Sequence, residues 1–557
     1  MEKALSMHFY SKNKQKKTRK NSCYAALLSS TLLCLIYTKT CSAFETDLFI
    51  GNAKAMSLGN AVTADPPHID AIYFNPAGLA KLEGVQIQVK AIGAAFELQT
   101  ELHAPDFYQN LLKNINLTDP ILDANGNATS RTTQFDVQVP GAGLVKLPIP
   151  GGILGGISYK PEQYSRWTFA NSVFAPLIAG VHRTDPAGAF IGKDIGATRL
   201  TYFAPTVGYK FTEDFWVGAG LNISYFGVGA DISLRFPDLL LAATSLVTGE
   251  ESVLCSNVPQ ISILIDSCNG GLRPTDTLAD VNVTLEDYFS PTYNLGFLWH
   301  VTNWLTWGGV YHSGSQDKLE GDLEIKYSEQ IKNLITGLNN NSNPALLAAI
   351  RFLFPAWPAD ATDDSTKTTV DFEYPAHAAT GIKVQLLPRW SMNVDIKWTE
   401  SSAWDQWTAN FTDPVEVLGI VGILTKGVST DYVEIPRNYQ NYWTYGVGIE
   451  HLYNHRLTLR GGYEYRASPI PDDRGDAVVP IGEMHILGTG LNFKINQNSD
   501  IDLAAAFITS KTTIPACSSP NANDCSVSSL IYSPYSGLDV KHTLNVALFE
   551  AAYQLKF

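Results

Sequence analysis

The chain has 557 residues, enough for about three average globular domains or one large barrel. Its residues are 45% hydrophobic, 11% aromatic and only 17% charged, a composition that excludes an intrinsically disordered chain. The formal net charge of −14 argues against a nucleic-acid partner.

The first 43 residues predict a removable export signal. Basic residues crowd positions 12–20, an apolar run covers positions 23–37, and Cys41-Ser42-Ala43 offers a small-residue cleavage site. The apolar run is too short to span a bilayer comfortably, although an N-terminal membrane anchor stays open as an alternative. No later stretch approaches about 18 uninterrupted apolar residues, so we expect either a soluble secreted protein or an outer-membrane barrel.

A segment rich in small residues follows, and it contains Asn75-Pro76-Ala77-Gly78-Leu79-Ala80. Proline fixes φ and lacks a hydrogen-bond donor, so Asn75, Pro76 and Ala77 can hold a rigid turn. We predict an N-terminal plug over residues 44–82 and a barrel over residues 83–557. The turn then lies inside the lumen, either as part of a plug that moves or as part of a static stopper.

From about residue 84 onward, apolar and polar residues alternate, as they do in strands with one apolar face. In residues 443–450, for example, Trp, Tyr, Val and Ile alternate with Thr, Gly, Gly and Glu. A soluble β-sandwich would show the same alternation with its apolar face inward. We predict fourteen strands, at residues 84–100, 139–160, 165–178, 198–211, 215–230, 285–300, 304–325, 369–387, 390–402, 439–452, 455–468, 481–496, 500–510 and 541–557.

The connections favour the barrel. Short polar turns alternate with connections of a dozen residues or more, and this is the pattern of outer-membrane barrels with periplasmic turns and extracellular loops. The last strand is amphipathic and ends on Phe557. A terminal aromatic residue of this kind resembles the signal that the barrel-insertion machinery recognises, so that machinery and outer-membrane lipid are expected partners.

Four cysteines follow the predicted signal, in two close pairs. Cys255 with Cys268 and Cys517 with Cys525 predict two local disulfides in an oxidising compartment, with free thiols as the alternative.

Three segments resemble one known family. Asn75–Leu79 looks like the NPA motif in the hatch of FadL-type long-chain fatty-acid transporters. Residues 311–322 resemble that family's tyrosine-x-serine…lysine-x-x-glycine-aspartate strand, and residues 457–472 resemble its LTLRAGxxYxxSPxPD segment. The resemblance covers about residues 44–557.

The resemblance implies an all-β fold, a fourteen-stranded antiparallel transmembrane β-barrel closed by an N-terminal hatch. It also implies transport of hydrophobic molecules across the outer membrane, with long-chain fatty acids as first choice, by ligand-gated passive diffusion and without a cofactor. Another branch of the family takes up monoaromatic hydrocarbons, and these motifs do not separate the branches. A surface adhesin or antigen that transports nothing is the alternative from another class.

No enzyme motif stands out: GxSxG, HExxH, P-loop and GxGxxG patterns in strand–helix context are absent. We therefore expect no enzyme activity, and the scattered histidines predict no metal site. An outer-membrane lipase would need an exposed nucleophile with histidine and acid partners.

The resemblance also suggests where a ligand binds. In the family the mature N-terminus reaches into the substrate pocket, which would place Phe44, Leu48 and Phe49 near a ligand. A fatty acid needs a cation for its carboxylate, and the candidates are Lys397, Arg460 and Lys318. A lumenal ladder of salt bridges is the alternative role for such charges.

Two outer connections carry apolar residues at helical spacing. Contiguous exposed apolar area tends to mark an interaction site, and the resemblance implies a low-affinity hydrophobic groove between these connections. Packing of the two loops into a lid is the alternative. The residues are Leu239, Leu240 and Leu241 in the third connection and Ile335, Leu338, Leu347, Ile350 and Phe354 in the fourth.

The predicted second strand is interrupted by Pro148, Pro150, Gly151 and Gly152. Proline removes a ladder donor, and glycine favours a bulge or kink. In the family a kinked strand opens a window through which the ligand leaves sideways into the bilayer. We expect this segment to be the window or its neighbour, with a distorted loop base as the alternative.

Overall fold

The computed structural model describes residues 51–114, 118–148, 151–235, 277–340, 348, 351–352 and 357–557. The predicted export signal, Phe44, Leu48 and Phe49 lie outside the described residues. The third outer connection, with Leu239, Leu240, Leu241, Cys255 and Cys268, lies outside them as well.

Strands dominate the described chain, and short helices lie before β1 and in the connections. The strands are β1 (Val85–His103), β2 (Asn127–Thr132), β3 (Phe135–Val139), β4 (Gly143–Leu147), β5 (Gly151–Tyr159), β6 (Trp167–His182), β7 (Asp194–Phe203), β8 (Thr206–Lys210), β9 (Phe215–Arg235), β10 (Thr277–Thr302), β11 (Leu305–His312), β12 (Ser315–Tyr327), β13 (Asp364–Tyr374), β14 (His377–Leu387), β15 (Trp390–Thr399), β16 (Gln406–Phe411), β17 (Tyr432–Pro436), β18 (Tyr442–Leu452), β19 (Leu457–Arg466), β20 (Met484–Lys494), β21 (Ser499–Ile514) and β22 (Asp539–Lys556). The helices are α1 (Ala53–Ser57), α2 (Ala71–Phe74), α3 (Asp106–Asn114), α4 (Pro186–Gly192), α5 (Glu329–Asn339) and α6 (Glu416–Leu424).

The strands close into one antiparallel barrel, and the chain runs across the barrel wall fourteen times. Five of these crossings each consist of two successive strands separated by a short break in the ladder. The pairs are β7 with β8, β11 with β12, β13 with β14, β15 with β16 and β17 with β18. β1 pairs with β22 from Gln86 opposite Lys556 to His103 opposite Asp539, which closes the ring. The fourteen-stranded barrel predicted from the alternation is confirmed, with both ends of the wall at the edge that carries the short turns.

The outward face of the wall is apolar. On β22, Phe549 and Tyr553 are 55% and 42% exposed, whereas Glu550 and Gln554, which point inward, are 4% and 7% exposed. A soluble sandwich has the opposite polarity, and an outward apolar band is what lipid covers in a membrane barrel. No helix in the described ranges combines the length and the apolarity needed to cross a membrane.

The predicted second strand, residues 139–160, is wrong in its first half. Only β5 belongs to the wall, because β3 and β4 form a separate hairpin that leaves it. Gly141 and Gly143 turn that hairpin with φ of +67° and +72°, a backbone region that glycine adopts at little cost. Other wall strands run further outward than predicted: β9 continues to Arg235 and β10 starts at Thr277.

Outer connections pack into a cap above one side of the barrel. Tyr108 of α3 and Tyr535 of the last connection are fully buried together with Leu102, Ile191 and Val540. In the same last connection Cys517 and Cys525 form a disulfide with Cα atoms 4.9 Å apart.

Candidate functional site: the hatch segment and the lumen

Residues 51–82, here called the hatch segment, contact the wall all the way round. Their contacts reach β1, β5, β6, β8, β9, β10, β11, β14, β15, β18, β19, β20, β21 and β22, which together represent all fourteen crossings. A segment that touches every strand of a closed barrel lies inside it. The predicted boundary at residue 44 falls outside the described chain and stays a prediction.

Glycines in the wall make room for this segment. A Cβ placed on Gly448 would lie 2.6 Å from the carbonyl oxygen of Leu58, and one placed on Gly308 would lie 2.5 Å from that of Thr63. A glycine inside a strand often marks the close approach of another backbone, and that is its role here. The inward glycines that contact the hatch segment are Gly156, Gly208, Gly218, Gly296, Gly308, Gly446, Gly448, Gly462, Gly488 and Gly490.

Asn75 fixes the turn that the sequence singled out. Its side-chain oxygen accepts a hydrogen bond from the Ala77 backbone N–H at 3.2 Å, and Pro76 begins the 3-10 turn that follows. Its amide nitrogen donates to the carbonyl oxygens of Thr63 (2.8 Å) and Phe297 (2.9 Å). The fully buried Asn75 therefore ties two parts of the hatch segment to β10, and Ala77 is fully buried beside it.

Ion pairs also join the hatch segment to the wall. The Asp65 carboxylate accepts from Lys54 at 2.7 Å and from Lys383 of β14 at 2.6 Å. Burial alone would raise the pKa of Asp65, but the attraction of these two lysines outweighs it and holds the pKa below its ordinary value. On the opposite side, Asp70 of the hatch segment pairs with Lys90 of β1 at 2.7 Å.

A small, partly open cavity of about 40 Å³ lies between the hatch segment and the wall. Tyr73 and Phe74 contribute one side; His312, His377 and Lys397 contribute the other. The two imidazole rings are stacked with centroids 4.2 Å apart, and the Tyr73 hydroxyl lies 3.2 Å from Nε2 of His377. The cavity thus offers aromatic faces, a cation and hydrogen-bonding groups in one place.

Three buried polar atoms beside the cavity have no hydrogen-bond partner among the described residues. They are Nδ1 of His377, Oδ1 of Asp395 and Oγ1 of Thr444. The second carboxylate oxygen of Asp395 accepts from the Thr63 backbone N–H at 2.7 Å, so this aspartate also holds the hatch segment. Unpartnered buried polar groups are uncommon in folded proteins, and a bound ligand is one way to satisfy them.

The three predicted carboxylate-binding cations lie in different places. Lys397 lines the cavity. Arg460 bonds to Glu450 at 2.8 Å and to Asp502, so it belongs to the ladder of charges that was its alternative role. Lys318 lies on the opposite face from buried Asp317, with a side chain that is 63% exposed and paired with Glu320, so it does not reach the lumen.

The wall has a gap beside β1. On its side away from β22, β1 pairs with β5 over residues 85–93 and with β2 over residues 98–103, whereas residues 94–97 have no strand partner there among the described residues. Across the gap, β6 pairs with β5 only as far as Val173. The gap exists because the β3–β4 hairpin folds inward against β6, β7 and β9.

The predicted window residues lie at the inner edge of this gap. Gly151 and Gly152 pair with Gly93 and Ile92, the last residues of β1 that β5 covers. Pro148 is in the bend just before them, and Pro150 is not described. On the outer side the gap ends at a bridge between Gln134 and His182, whose backbone N–H donates to the Gln134 carbonyl oxygen at 2.9 Å.

The predicted outer groove is described only in part. Ile335 of α5 is buried at 3% exposure, while the side chain of Leu338 and all of Leu347, Ile350 and Phe354 fall in undescribed positions. Ile331, also on α5, packs on an apolar cluster that includes Val415 and Leu418 of the connection between β16 and β17. Residues 416–424 of that connection are almost entirely apolar, although they were not predicted to belong to the groove.

Three residues of the cavity were not predicted from the sequence: Tyr73, His312 and His377. His312 and His377 are direct cross-strand neighbours on β11 and β14, yet they are far apart in sequence. The register across a long connection cannot be read from alternation, so no sequence signal joined them.

Comparison with known proteins identifies relatives of this architecture. Residues 40–557 match the family model described as outer membrane protein transport protein (OMPP1/FadL/TodX). No curated protein sequence matches the chain.

Among solved structures, a Pseudomonas aeruginosa FadL homologue superposes with a TM-score of 0.60 at 18% identity, covering 93% of this chain and 100% of the other. The Pseudomonas putida toluene transporter TodX gives 0.55 at 15% identity, with 92% and 100% covered. The Ralstonia pickettii toluene transporter TbuX gives 0.52 at 16% identity, with 93% and 99% covered. At these identities the likeness shows a shared fold.

Proposed function

The chain belongs to the OMPP1/FadL/TodX family of channel-type transporters, which carry hydrophobic molecules across the bacterial outer membrane, and we propose that its own substrates are long-chain fatty acids. In this proposal the fatty acid enters the lumen from outside, binds beside the hatch segment and loosens it. The molecule then leaves sideways into the bilayer. No energy source is needed, because the substrate diffuses down its gradient.

The observation that carries the choice of substrate is the position of Lys397. Its cavity adjoins the hatch segment and also holds His377, Tyr73 and His312, groups that can donate hydrogen bonds. A fatty-acid carboxylate needs a charged donor once it leaves water, and a charge-assisted hydrogen bond contributes about 1.5–3 kcal/mol. A neutral hydrocarbon needs no such group.

The rings of the cavity favour a second candidate, the uptake of monoaromatic hydrocarbons. Tyr73 lies against His312 with ring centroids 4.7 Å apart and against Phe174 at 5.6 Å. A small aromatic molecule could stack in such a site, since ring pairs prefer centroid separations of about 4.5–7 Å.

The gap between residues 94–97 and β6 supports sideways exit. It interrupts the ladder at Ala94, Ala95, Phe96 and Glu97 of β1, and Phe135 of the inward hairpin packs against Phe96 there, with ring centroids 5.6 Å apart. A hydrophobic substrate that passes there enters lipid without crossing water, which is favourable for an alkyl chain.

Binding of oleate and toluene to the purified protein tests the choice of substrate. Lys397→Met keeps the length of the side chain and removes its charge. We expect this variant to bind oleate about 10- to 150-fold more weakly and toluene unchanged. Lys318→Met is the matched control, because Lys318 is exposed on the other face of the wall, and its oleate affinity should equal that of the wild type.

Equal oleate binding by Lys397→Met and the wild type would contradict a carboxylate site at Lys397. Toluene binding without oleate binding by the wild type would move the protein to the aromatic candidate.

A further inference from the structure

We propose that Asp136, His182 and Asp194 form a binding site for a divalent transition-metal ion at the outer rim of the wall gap. The three residues come from the inward hairpin, the end of β6 and the start of β7. Their ligand atoms all lie within 4.8 Å of one another.

The geometry fits a small number of protein ligands around one ion. Nδ1 of His182 lies 3.4 Å from Oδ2 of Asp136 and contacts the Asp194 carboxylate directly. Two donor atoms bound to a tetrahedral zinc ion are about 3.4 Å apart, given metal–ligand distances of about 2.0–2.2 Å. Three protein ligands with a water in the fourth position is a common arrangement for zinc.

The backbone holds these donors in place. His182 and Asp194 are direct cross-strand partners on β6 and β7, so their side chains leave the sheet on the same face. The bridge between His182 and Gln134 fixes the start of the hairpin against β6, and Asp136 follows two residues later. The site is therefore largely formed by the fold.

Charge also favours a cation here. Two carboxylates meet at one imidazole, and neither Asp136 nor Asp194 forms an ion pair with a lysine or arginine among the described residues. The neighbouring Lys193 is engaged elsewhere, at 2.9 Å from Asp280 and 3.9 Å from Asp231. A bound divalent ion would neutralise both carboxylates at once.

An ion can reach this cluster from outside. The side chains of His182 and Asp194 are 21% and 28% exposed, while that of Asp136 is 4% exposed. The imidazole ligand favours a transition metal over Mg²⁺ or Ca²⁺, which prefer oxygen ligands throughout.

A second cluster of the same composition lacks these properties. His68, Asp500 and Asp502 also come together, but Asp502 already accepts hydrogen bonds from Arg460, Asn492 and Gln554. That cluster is satisfied by protein donors, so it serves as an internal comparison.

A metal at the rim would tie the inward hairpin to β6 and β7. The hairpin's departure from the wall creates the gap, so the ion would stabilise the open arrangement of the wall rather than contact a substrate.

The test is a calorimetric titration of the purified full chain with Zn²⁺ after chelator treatment. We expect one equivalent to bind to the wild type and to His68→Gln. We expect His182→Gln to bind at least about 100-fold more weakly, since loss of even an outer-shell partner costs metal sites about 10–100-fold. Zn²⁺ should also raise the thermal midpoint of the wild type but not that of His182→Gln.

Asp136→Asn provides the second variant, because it keeps the size of the side chain and serves if His182→Gln does not fold. His485→Gln is the matched control: His485 lies 3.9 Å from a single carboxylate, that of Glu483, and its removal should leave Zn²⁺ binding unchanged. Absence of Zn²⁺ binding by the wild type would overturn the proposal. Zn²⁺ affinity that is unchanged in Asp136→Asn, or that is lost in His68→Gln, would overturn it as well.

Discussion

Replacement of Gly448 by alanine should loosen the hatch segment. A Cβ at this position would lie 2.6 Å from the carbonyl oxygen of Leu58 and 2.7 Å from its Cβ. Ordinary carbon contacts are about 3.5–4.0 Å, so Leu58 has to move by about 1 Å. Leu58 is fully buried, and overpacking of this kind costs about 1–3 kcal/mol. That corresponds to an increase of about 5- to 150-fold in the population of the displaced hatch segment.

Hydrogen exchange of the backbone amides in residues 55–62, followed by mass spectrometry, measures this population. Gly461→Ala is the matched control: Gly461 lies on the next strand, and its nearest neighbour is the carbonyl oxygen of Gly488 at 4.0 Å. Both substitutions change strand propensity alike. Faster exchange in Gly448→Ala alone is expected, whereas equal exchange in the two variants would refute close packing of the hatch segment on the wall.

Three further predictions concern single contacts. Asn75→Ala removes two donated hydrogen bonds and should weaken hatch closure by about 2 kcal/mol, seen as faster amide exchange around residue 63. Because the pKa of Asp65 is lowered, its ion pairs stabilise the packed hatch segment fully above about pH 4 and lose this effect as the pH falls further. Asp65→Asn should lower the amide protection factors of the hatch segment at pH 7 and remove this dependence on acid. An unchanged pH profile of protection would contradict the prediction. Arg199→Met leaves Asp317 buried without its 2.8 Å partner and should cost about 3–5 kcal/mol in urea unfolding, while an unchanged midpoint would argue against that ion pair.

The wall could be predicted because alternation is a local property. Each crossing places apolar side chains outward at every second residue, and that period appears in any window of the sequence. The second strand was predicted from a less regular stretch, in which Pro140, Gly141 and Gly143 interrupt the alternation. Residues 135–147 do form extended strands, but β3 and β4 pair with each other, and a local pattern cannot tell which sheet a strand joins.

Only part of the packing between the hatch segment and the wall could be predicted from the sequence. Gly446 and Gly448 occupied the polar phase of their strand, and nothing local showed that Leu58 and Gly59 of the hatch segment would lie against them. The Asn75 turn was predicted from residue chemistry alone, since proline and its preceding asparagine define a local structure.

The roles of the candidate cations depend on contacts with residues that are distant in sequence. Arg460 was a plausible carboxylate ligand until Asp502, on a strand that is not its neighbour, proved to contact it. Lys318 was the third candidate cation, and the phase of β12 turns it outward, away from buried Asp317 and Leu319. Lys397 is the candidate that both points inward on its strand and lines the cavity.

Uptake by cells that lack their own outer-membrane fatty-acid transporter tests the central claim most directly. Labelled oleate and labelled toluene are supplied in parallel to cells that carry the wild type or a variant in which Asn75, Pro76 and Ala77 are replaced. We expect oleate to be taken up through the wild type and the replacement of Asn75, Pro76 and Ala77 to abolish this uptake. Uptake of toluene alone, or of neither compound with the barrel correctly inserted, would contradict it.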